Sequence, residues 1–398
     1  MKAPLMRSLN GIELLNLISE HGPISRASLA KLSELSKPTV SSQVEALVRQ
    51  GWVVELGQGE AGAKGGKKPN LVGFNARAGR LFGAEINADE VRIAVADLSG
   101  NIQDRSYSPI GKDRSAESVL AILRTGLKRF MKNDGHTLDQ QVISVAAPGR
   151  VDMHRGVVLD AGNLFNWRNV KIRETLEESL GVSVFVDNGV KMATLGEVHY
   201  GVAKGEQDVV VVRLDTGIGS GIVVHGKLVH GSNWAAGEIA HMVLDLSRVS
   251  EDWRVRGYLE SIVGSDRIVE QAEAAEIPTK SAMDFLSNGR QAGGEAAKLY
   301  EKVVLHVGVA IANLICAYDP SLVVLQGALF SLIGHDLRAV VERTIPWETR
   351  IEFSEISDEA VLLGAIVSAR RQAYDRISRL FDGHETSRSE ADLLLEAR

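Results

Sequence analysis

The first 50 residues carry hydrophobic side chains at helical spacing in three successive segments. The first segment repeats apolar positions every three or four residues and predicts a helix that ends at Gly22-Pro23. Ser25 is placed to cap a short second helix, and Ser36 to cap a third helix that ends at Gly51. Two short helices joined by a tight turn are typical of a helix-turn-helix.

The outward face of the third predicted helix carries small and polar side chains, which let a helix lie deep in the major groove and reach the bases. Two short strand patterns follow, at 52–57 and 70–75, and a glycine-rich segment with a cluster of lysines separates them. This arrangement predicts a winged helix over residues 1–75 that binds double-stranded operator DNA. The alternative is a small helical docking domain with a solvated loop in place of the wing. The candidate DNA-binding residues are Lys37, Thr39, Ser42, Gln43, Arg49, Lys64, Lys67 and Lys68.

From about residue 80 the pattern changes to strands that alternate with helices. A hairpin-like strand pair at 80–102 is followed by helix, strand, helix and strand, and a second, glycine-punctuated hairpin begins near residue 208. The repeated order predicts an α/β body of two similar halves, which spans residues 80–398.

Composition narrows the class of protein. Hydrophobic residues make up 44% of the 398 residues and charged residues 24%, as in globular proteins generally. A single cysteine, Cys316, excludes a disulfide framework and a cysteine-based metal site within one chain. We find neither a run of about 18 apolar residues nor a secretory signal pattern. We therefore expect a cytoplasmic protein without a membrane span.

The charge of the chain is unevenly shared between its two parts. Residues 1–80 hold 11 Lys and Arg against 6 Asp and Glu, whereas the remainder holds 34 against 45. A basic head on an acidic body indicates that only the head contacts a polyanion, although chance asymmetry would give the same count.

Four motifs in the body resemble those of the ROK family, which contains sugar kinases and sugar-responsive repressors. The motifs are APG at 147–149, DNGVKMATLGE at 187–197, DTGIGSGIVVHGKLVHGSNWAAGEIAH at 215–241 and GYLE at 257–260. The resemblance covers residues from about 80 to 370 and implies the actin-like, ribonuclease H-like ATPase fold. The winged helix ahead of it is similar to that of the repressor branch of the family.

Two departures from the kinases of the family concern the phosphates of ATP. In those kinases the first strand pair carries Asp-x-Gly-Gly-Thr, whose backbone amides approach the phosphates. Residues 87–90 of this chain are Asn-Ala-Asp-Glu instead, so the glycines are missing and two carboxylates would repel phosphate. A later strand that ends in Gly-Gly in the kinases ends here in Gln326-Gly327.

A third departure concerns the general base. The family's kinases carry an aspartate that takes the proton from the sugar hydroxyl, and Gly189 stands at that position here. General-base catalysis typically contributes about 10²–10⁴ in rate. Losing the base and the phosphate glycines together predicts a pseudo-kinase with no catalytic residue and no cofactor. The alternative is an active ATP-dependent sugar kinase with an appended DNA-binding domain.

The sugar contacts of the family are largely kept. The resemblance assigns them to amides, carboxylates and a histidine, and these groups suit vicinal hydroxyl groups. A helix-start cap and a buried, satisfied histidine are the alternative explanation for the Glu and His of the third motif. The candidate effector-binding residues are Asn163, Asn188, Glu238, His241 and Glu260.

Zinc is a further family feature, bound where present by the histidine of the third motif and three cysteines of the following loop. The loop after His241 contains no cysteine in this chain. A single histidine cannot form a four-ligand structural site, so we expect no metal.

Together these features predict a cytoplasmic transcriptional repressor of sugar metabolism genes. Its head would bind operator DNA, and its body would bind a sugar or sugar derivative. We expect a homodimer or homotetramer in which the ligand changes the spacing of two recognition helices. A regulator whose body responds to a protein partner is a third possibility.

Overall fold

The computed structural model of the chain describes residues 3–59, 68–132, 135–137, 140–161 and 167–381. Three of the candidate residues, Lys64, Lys67 and Asn163, lie outside the described residues.

The head is three helices packed on a three-stranded antiparallel sheet of order β1-β3-β2. Its apolar residues form one core, in which the buried faces of the first and third helices meet. This is the winged-helix arrangement that the hydrophobic pattern predicts. Its elements are α1 (Ala3–His21), β1 (Ile24–Ser25), α2 (Arg26–Leu32), α3 (Lys37–Arg49), β2 (Val53–Gln58) and β3 (Asn70–Phe74).

Both predicted helix caps in the head are confirmed. The Ser25 hydroxyl accepts a hydrogen bond from the Ser28 amide at 3.0 Å, and the Ser36 hydroxyl accepts one from the Thr39 amide at 3.3 Å. Each bond satisfies an amide that has no partner within its own helix. These caps fix where α2 and α3 begin, and so fix the turn between them.

The first half of the body contains a five-stranded mixed sheet of order β11-β7-β4-β5-β6 and a small sheet of order β10-β9-β8. Strands β4, β7 and β11 are parallel, and the hairpin partners of β4 are antiparallel. Its elements are β4 (Arg80–Ile86), β5 (Glu90–Asp97), β6 (Ile102–Pro109), α4 (Ala116–Met131), β7 (Gln141–Ala147), β8 (Arg150–Asp152), β9 (Val157–Asp160), β10 (Arg168–Lys171), α5 (Ile172–Leu180), β11 (Val184–Asn188) and α6 (Gly189–Tyr200).

The second half repeats this sheet, in the order β14-β13-β12-β15-β16. In each half three antiparallel strands come first in the chain, and two parallel strands are then added beside the first of them. The predicted duplication is therefore confirmed. Its elements are β12 (Val209–Leu214), β13 (Ile218–Val224), β14 (Lys227–Leu228), α7 (Glu260–Val263), α8 (Ser265–Ala274), α9 (Ala282–Ala292), α10 (Gly294–Tyr318), β15 (Leu322–Gln326), α11 (Phe330–Thr344), β16 (Arg350–Phe353) and α12 (Ala360–Phe381).

Helix α12 follows the second half in sequence but packs on the first half and on the head. It lies against α6, β4 and β7. Near its end, Ile377 is buried in the core of the head, and the Tyr374 hydroxyl lies 2.9 Å from that of Ser19 on α1. The head is thereby joined to the body by side-chain packing as well as by the chain itself.

Among the described residues, one helix, α10, is apolar and long enough to cross a membrane, with a mean hydropathy of 1.5. More than half of its apolar window, 56%, is buried inside the protein. The helix packs on α9 and α11 within the core of the second half. Because buried core helices satisfy the same criteria, these contacts identify α10 as a core helix.

Candidate functional site

The candidate cleft lies where the β11–α6 junction meets the loop after β14 and the start of α7. Asn188 ends β11 and caps α6, because its Oδ1 accepts hydrogen bonds from the amides of Val190 (2.8 Å) and Lys191 (3.2 Å). Its Nδ2 donates to the Gly149 carbonyl at 2.7 Å. Both acceptor positions of the amide are thus occupied within the protein, and one N–H remains for a ligand.

Gly189 is the first residue of α6. An added Cβ at this position would have only the Ala147 carbonyl oxygen within 4 Å among the described residues, at 3.8 Å. The site therefore has room for a side chain, and the missing carboxylate is a feature of the sequence that packing does not require.

Two residues that sequence reasoning missed connect the β11–α6 junction to the loop after β14. The buried carboxylate of Asp187 lies 2.8 Å from His230 Nε2, and the Lys191 ammonium donates to the Trp234 carbonyl at 2.8 Å. Burial lowers the pKa of Lys191, and the nearby carboxylates of Asp187 and Glu238 oppose that effect. A lysine within a helix of small and apolar residues was the signal that could have found this contact.

Glu238 and His241 lie on either side of a short 3₁₀ turn. Among the described residues, no hydrogen bond caps this turn through the Glu238 side chain, and His241 is exposed with Nδ1 3.1 Å from the Trp253 carbonyl. The alternative explanation of a cap and a buried histidine is therefore wrong. Burial raises the pKa of Glu238, opposed by the charges of Lys191 and His241.

Glu260 begins α7 and reaches the glycine turn between β12 and β13. A Cβ at Gly217 would collide with its Oε2, so this turn requires glycine in order to admit the carboxylate. Burial raises the pKa of Glu260, and Arg256 and, more weakly, His241 oppose the shift. Glu238, His241 and Glu260 are thus brought close together, as the sequence predicts.

The first half of the body contributes an ion pair that sequence reasoning also missed. Arg150 Nη2 lies 2.7 Å from Asp160 Oδ2, and both residues influence the pKa of Glu238. Arg150 also approaches the Asn233 carbonyl at 3.5 Å, in the loop that precedes Glu238. The cleft therefore has polar side chains from both halves of the body.

The outward face of α3 is the candidate nucleic-acid interface. Lys37, Ser42 and Arg49 are exposed, Thr39 is partly exposed, and Lys68 at the edge of the wing is exposed. The prediction of Gln43 as a DNA contact is wrong for the structure described here. Its side chain is only 6% exposed, because position 43 lies on the side of α3 that packs inside the head.

Comparison with known proteins places this geometry in a family. The sequence profile of the ROK family matches residues 81–372. The chain belongs to the ROK family. A MarR family profile matches residues 8–54, which form the helices of the head.

Relatives and a solved structure cover most of the chain. The sequence is 28% identical to the xylose repressor of Caldicellulosiruptor bescii, over 91% of this chain and 95% of that protein. It is 25% identical to the DNA-binding transcriptional dual regulator NagC of Escherichia coli K12, over 82% of each. The crystal structure of a ROK family transcriptional regulator, a homologue of the E. coli MLC protein, covers 95% of this chain and 99% of its own, with a TM-score of 0.77 and 21% identity. At that identity the likeness shows the fold.

In ROK kinases the β4–β5 hairpin faces the phosphates, and in this ROK protein its carboxylates already have partners. Glu90 pairs with Arg92 at 2.6 Å, and Asp89 lies 3.3 Å from Arg114. Glu85 is only 5% exposed, and burial raises its pKa against the opposing charges of Arg213 and Arg92. The carboxylates that the sequence presents as bare charges are thus partly neutralised by arginines.

A hydrogen-bond chain crosses the same region between the two halves of the body. Arg213 donates to Gln326 Oε1 at 3.0 Å, and Gln326 Nε2 donates to Glu197 Oε1 at 3.0 Å. Gln326 is fully buried, and Ser354 also donates to Glu197. The second departure from the ROK kinase pattern therefore supplies an internal contact between α6 and β15.

The loop after His241 is held by packing and ion pairs, as expected. The Trp253 indole donates to the Arg248 carbonyl at 2.9 Å, and the Arg248 guanidinium lies over the Trp253 ring and pairs with Glu251. Within the described ranges, no group of three or more His, Cys, Asp or Glu is arranged to hold a metal ion.

Proposed function

We propose that this ROK protein is a sugar-responsive transcriptional repressor whose winged helix binds operator DNA and whose cleft binds a sugar without phosphorylating it. The observation that carries the proposal is a polar cleft with two buried carboxyls and a histidine, beside a glycine in place of the general base. We also propose a cytoplasmic location, where its DNA partner resides.

Two relatives support the regulatory part of the proposal. The proteins named xylose repressor and NagC match both head and body, since the alignments cover 91% and 82% of this chain. Their names point to different sugars, a pentose and an N-acetylhexosamine. The proposed ligand is therefore a sugar or sugar derivative, with its identity to be found by experiment.

The chemistry of the cleft supports a polyhydroxylated ligand. Glu238 and Glu260 bring carboxyl groups that accept hydrogen bonds from hydroxyls, and His241 adds a ring nitrogen beside them. Arg150 and Asp160 offer a donor and an acceptor on the opposite side. A ligand that bridges the two sides would favour one relative orientation of the two halves.

We propose that α6 and α12 transmit this change to the head. Helix α6 begins at Asn188 in the cleft and packs along α12. Helix α12 reaches the head through Ile377 and through the Tyr374–Ser19 contact. A rotation at the cleft would thus change how the head is held.

The absence of kinase activity is the finer part of the proposal. Gly189 cannot accept the hydroxyl proton, and Glu85 with its arginine partners occupies the hairpin that faces phosphates in ROK kinases. An active kinase with an appended DNA-binding domain is the competing function.

Thermal-shift titration of the full chain with pentoses, hexoses and N-acetylhexosamines tests ligand binding. We expect at least one sugar to raise the melting temperature of the wild type, and we expect Glu238→Ala to lose that shift. Glu251→Ala, an exposed glutamate in the neighbouring loop, is the matched control and should keep the shift. A wild type that responds to no sugar would favour the regulator controlled by a protein partner.

Incubation of the wild type with ATP and the same sugars, followed by measurement of ADP, tests the kinase alternative. We expect no sugar-dependent turnover. Turnover at or above about 1 s⁻¹, the low end for ordinary enzymes, would establish the competing function.

A further inference from the structure

The loop 242–256, between His241 and α7, exposes an unusual amount of apolar side chain. Leu246 is 85% exposed, Val249 66% and Val255 87%. Every other exposed large hydrophobic side chain in the described part of the chain is at most 52% exposed. Three such residues within ten positions mark an interaction surface more strongly than scattered single residues do.

The loop presents these side chains from a fixed framework. The Trp253 indole holds the Arg248 carbonyl at 2.9 Å, and Arg254 pairs with Asp252 at 2.6 Å. Arg248 in turn pairs with Glu251. A surface that is already ordered loses little conformational entropy when it binds.

The loop is continuous with the outer face of α10. The rings of Trp253 and Tyr258 are 5.2 Å apart, and the Tyr258 hydroxyl lies 3.0 Å from His306 Nε2 on α10. Leu305, next to His306, is itself exposed. We call the set Leu246, Val249, Val255 and Leu305 the loop–α10 surface.

We propose that the loop–α10 surface is the site at which two copies of this chain associate. Its loop carries two arginines and two acidic residues, each paired within the loop, so two copies can face each other without net repulsion. A two-fold contact also presents each apolar side chain twice, which suits a patch too small for a one-sided interface.

The surface is connected to the cleft by one hydrogen bond. His241 Nδ1 lies 3.1 Å from the carbonyl of Trp253, which stands in the middle of the loop. A ligand that moves His241 would move the loop, and with it the partner copy. This coupling rests on the proposed function, whereas the association surface does not.

Sedimentation velocity of the full chain without ligand tests the surface. We expect the wild type to sediment as a dimer or larger, and the double variant Leu246→Asp with Val255→Asp to lose one level of association. Its dissociation constant should rise at least about thirtyfold, as for the loss of an interface hot spot. Met283→Asp, on the partly exposed first turn of α9, is the matched control and should sediment like the wild type. A monomeric wild type, or a double variant that associates as tightly as the wild type, would overturn the proposal.

Hydrogen–deuterium exchange of the wild type gives a test that needs no variant. We expect amides in 242–256 and around Leu305 to exchange more slowly at concentrations above the dissociation constant than below it. Protection confined to other parts of the chain would show that the copies meet elsewhere. Because neither experiment contains sugar or DNA, failure here is distinguishable from failure of the proposed function.

Discussion

At the scale of single residues, the sequence predicts chemistry well where one side chain decides it. The loss of the carboxylate at Gly189 and the gathering of Glu238, His241 and Glu260 follow from motif positions alone. Sequence reasoning cannot show that Asn188 uses both acceptor sites to cap α6, because that depends on the local path of the chain. It also missed Lys191, whose partner Trp234 is 43 positions away.

Restoring the carboxylate tests the residue account most simply. We expect Gly189→Asp to fold with a nearly unchanged melting temperature, since a Cβ there meets only an ordinary contact at 3.8 Å and an acid suits the first turn of a helix. We expect no kinase activity, because the phosphate side of the cleft is unchanged. Sugar-dependent ADP release by this variant would contradict the account.

Gly217→Ala is the contrasting substitution. Its Cβ would displace the Glu260 carboxylate, so we expect this variant to lose the sugar-induced thermal shift while Gly189→Asp keeps it. A normal shift in Gly217→Ala would show that Glu260 does not contribute to the cleft.

The buried Glu85 makes stability depend on pH. Burial holds its pKa above the usual 4.5, so ionisation at neutral pH destabilises the fold, and the wild type gains stability as the pH falls through the raised pKa towards 4.5. Glu85→Gln cannot gain a proton. We therefore expect it to melt above the wild type at pH 7 and the difference to shrink by pH 5.

The exposed Glu174→Gln variant is the control, with no such change in the difference between the two pH values. A Glu85→Gln variant that is less stable than the wild type at pH 7 would show that its pairing with Arg213 and Arg92 outweighs the cost of burial.

At the scale of elements, local signals in the sequence were sufficient for the head. Ser25 and Ser36 cap the helices they were predicted to cap, and α2 has the predicted bounds. Gln43 was misassigned because a polar residue was expected to face outward, whereas its position on α3 turns it into the core of the head. Helical position is a better guide here than polarity.

The two faces of α3 give a paired prediction. Arg49→Ala should weaken binding to DNA and lower the slope of log affinity against log salt by about 1 if it contacts a phosphate, as should Lys68→Ala. Gln43→Ala should instead lower the melting temperature with little change in that slope. Fluorescence anisotropy over a range of salt concentrations makes the comparison, and an unchanged slope in Arg49→Ala and Lys68→Ala would remove this face from the interface.

At the scale of the whole molecule, the sequence predicts two parts and a duplicated body but not how they are joined. The packing of α12 on the head depends on contacts such as Tyr374–Ser19, which are 355 positions apart. The chain from Gln326 to Glu197 and the pairing of Glu85 with Arg213 likewise bring together residues from different halves. Such contacts leave no local pattern, which is why they could not be predicted.

The junction between α12 and the head provides a test of transmission. We expect Tyr374→Phe to keep its stability within about 1 kcal/mol, the usual net contribution of one hydrogen bond, and to keep its sugar-induced thermal shift. The effect of sugar on DNA affinity should be reduced. Tyr300→Phe, which removes a 2.8 Å hydrogen bond to Asp336 away from the head, is the matched control. An unchanged sugar effect in Tyr374→Phe would exclude this contact from the route.

The central claim is that one chain couples a sugar in the cleft to DNA at the head. The most direct measurement is the affinity of the wild-type protein for an operator selected from a random DNA pool, at fixed salt, with and without each sugar. The account predicts that at least one sugar that raises the melting temperature also changes this affinity by about tenfold or more, within the usual range of allosteric coupling. A sugar that binds while leaving the DNA affinity unchanged would contradict it.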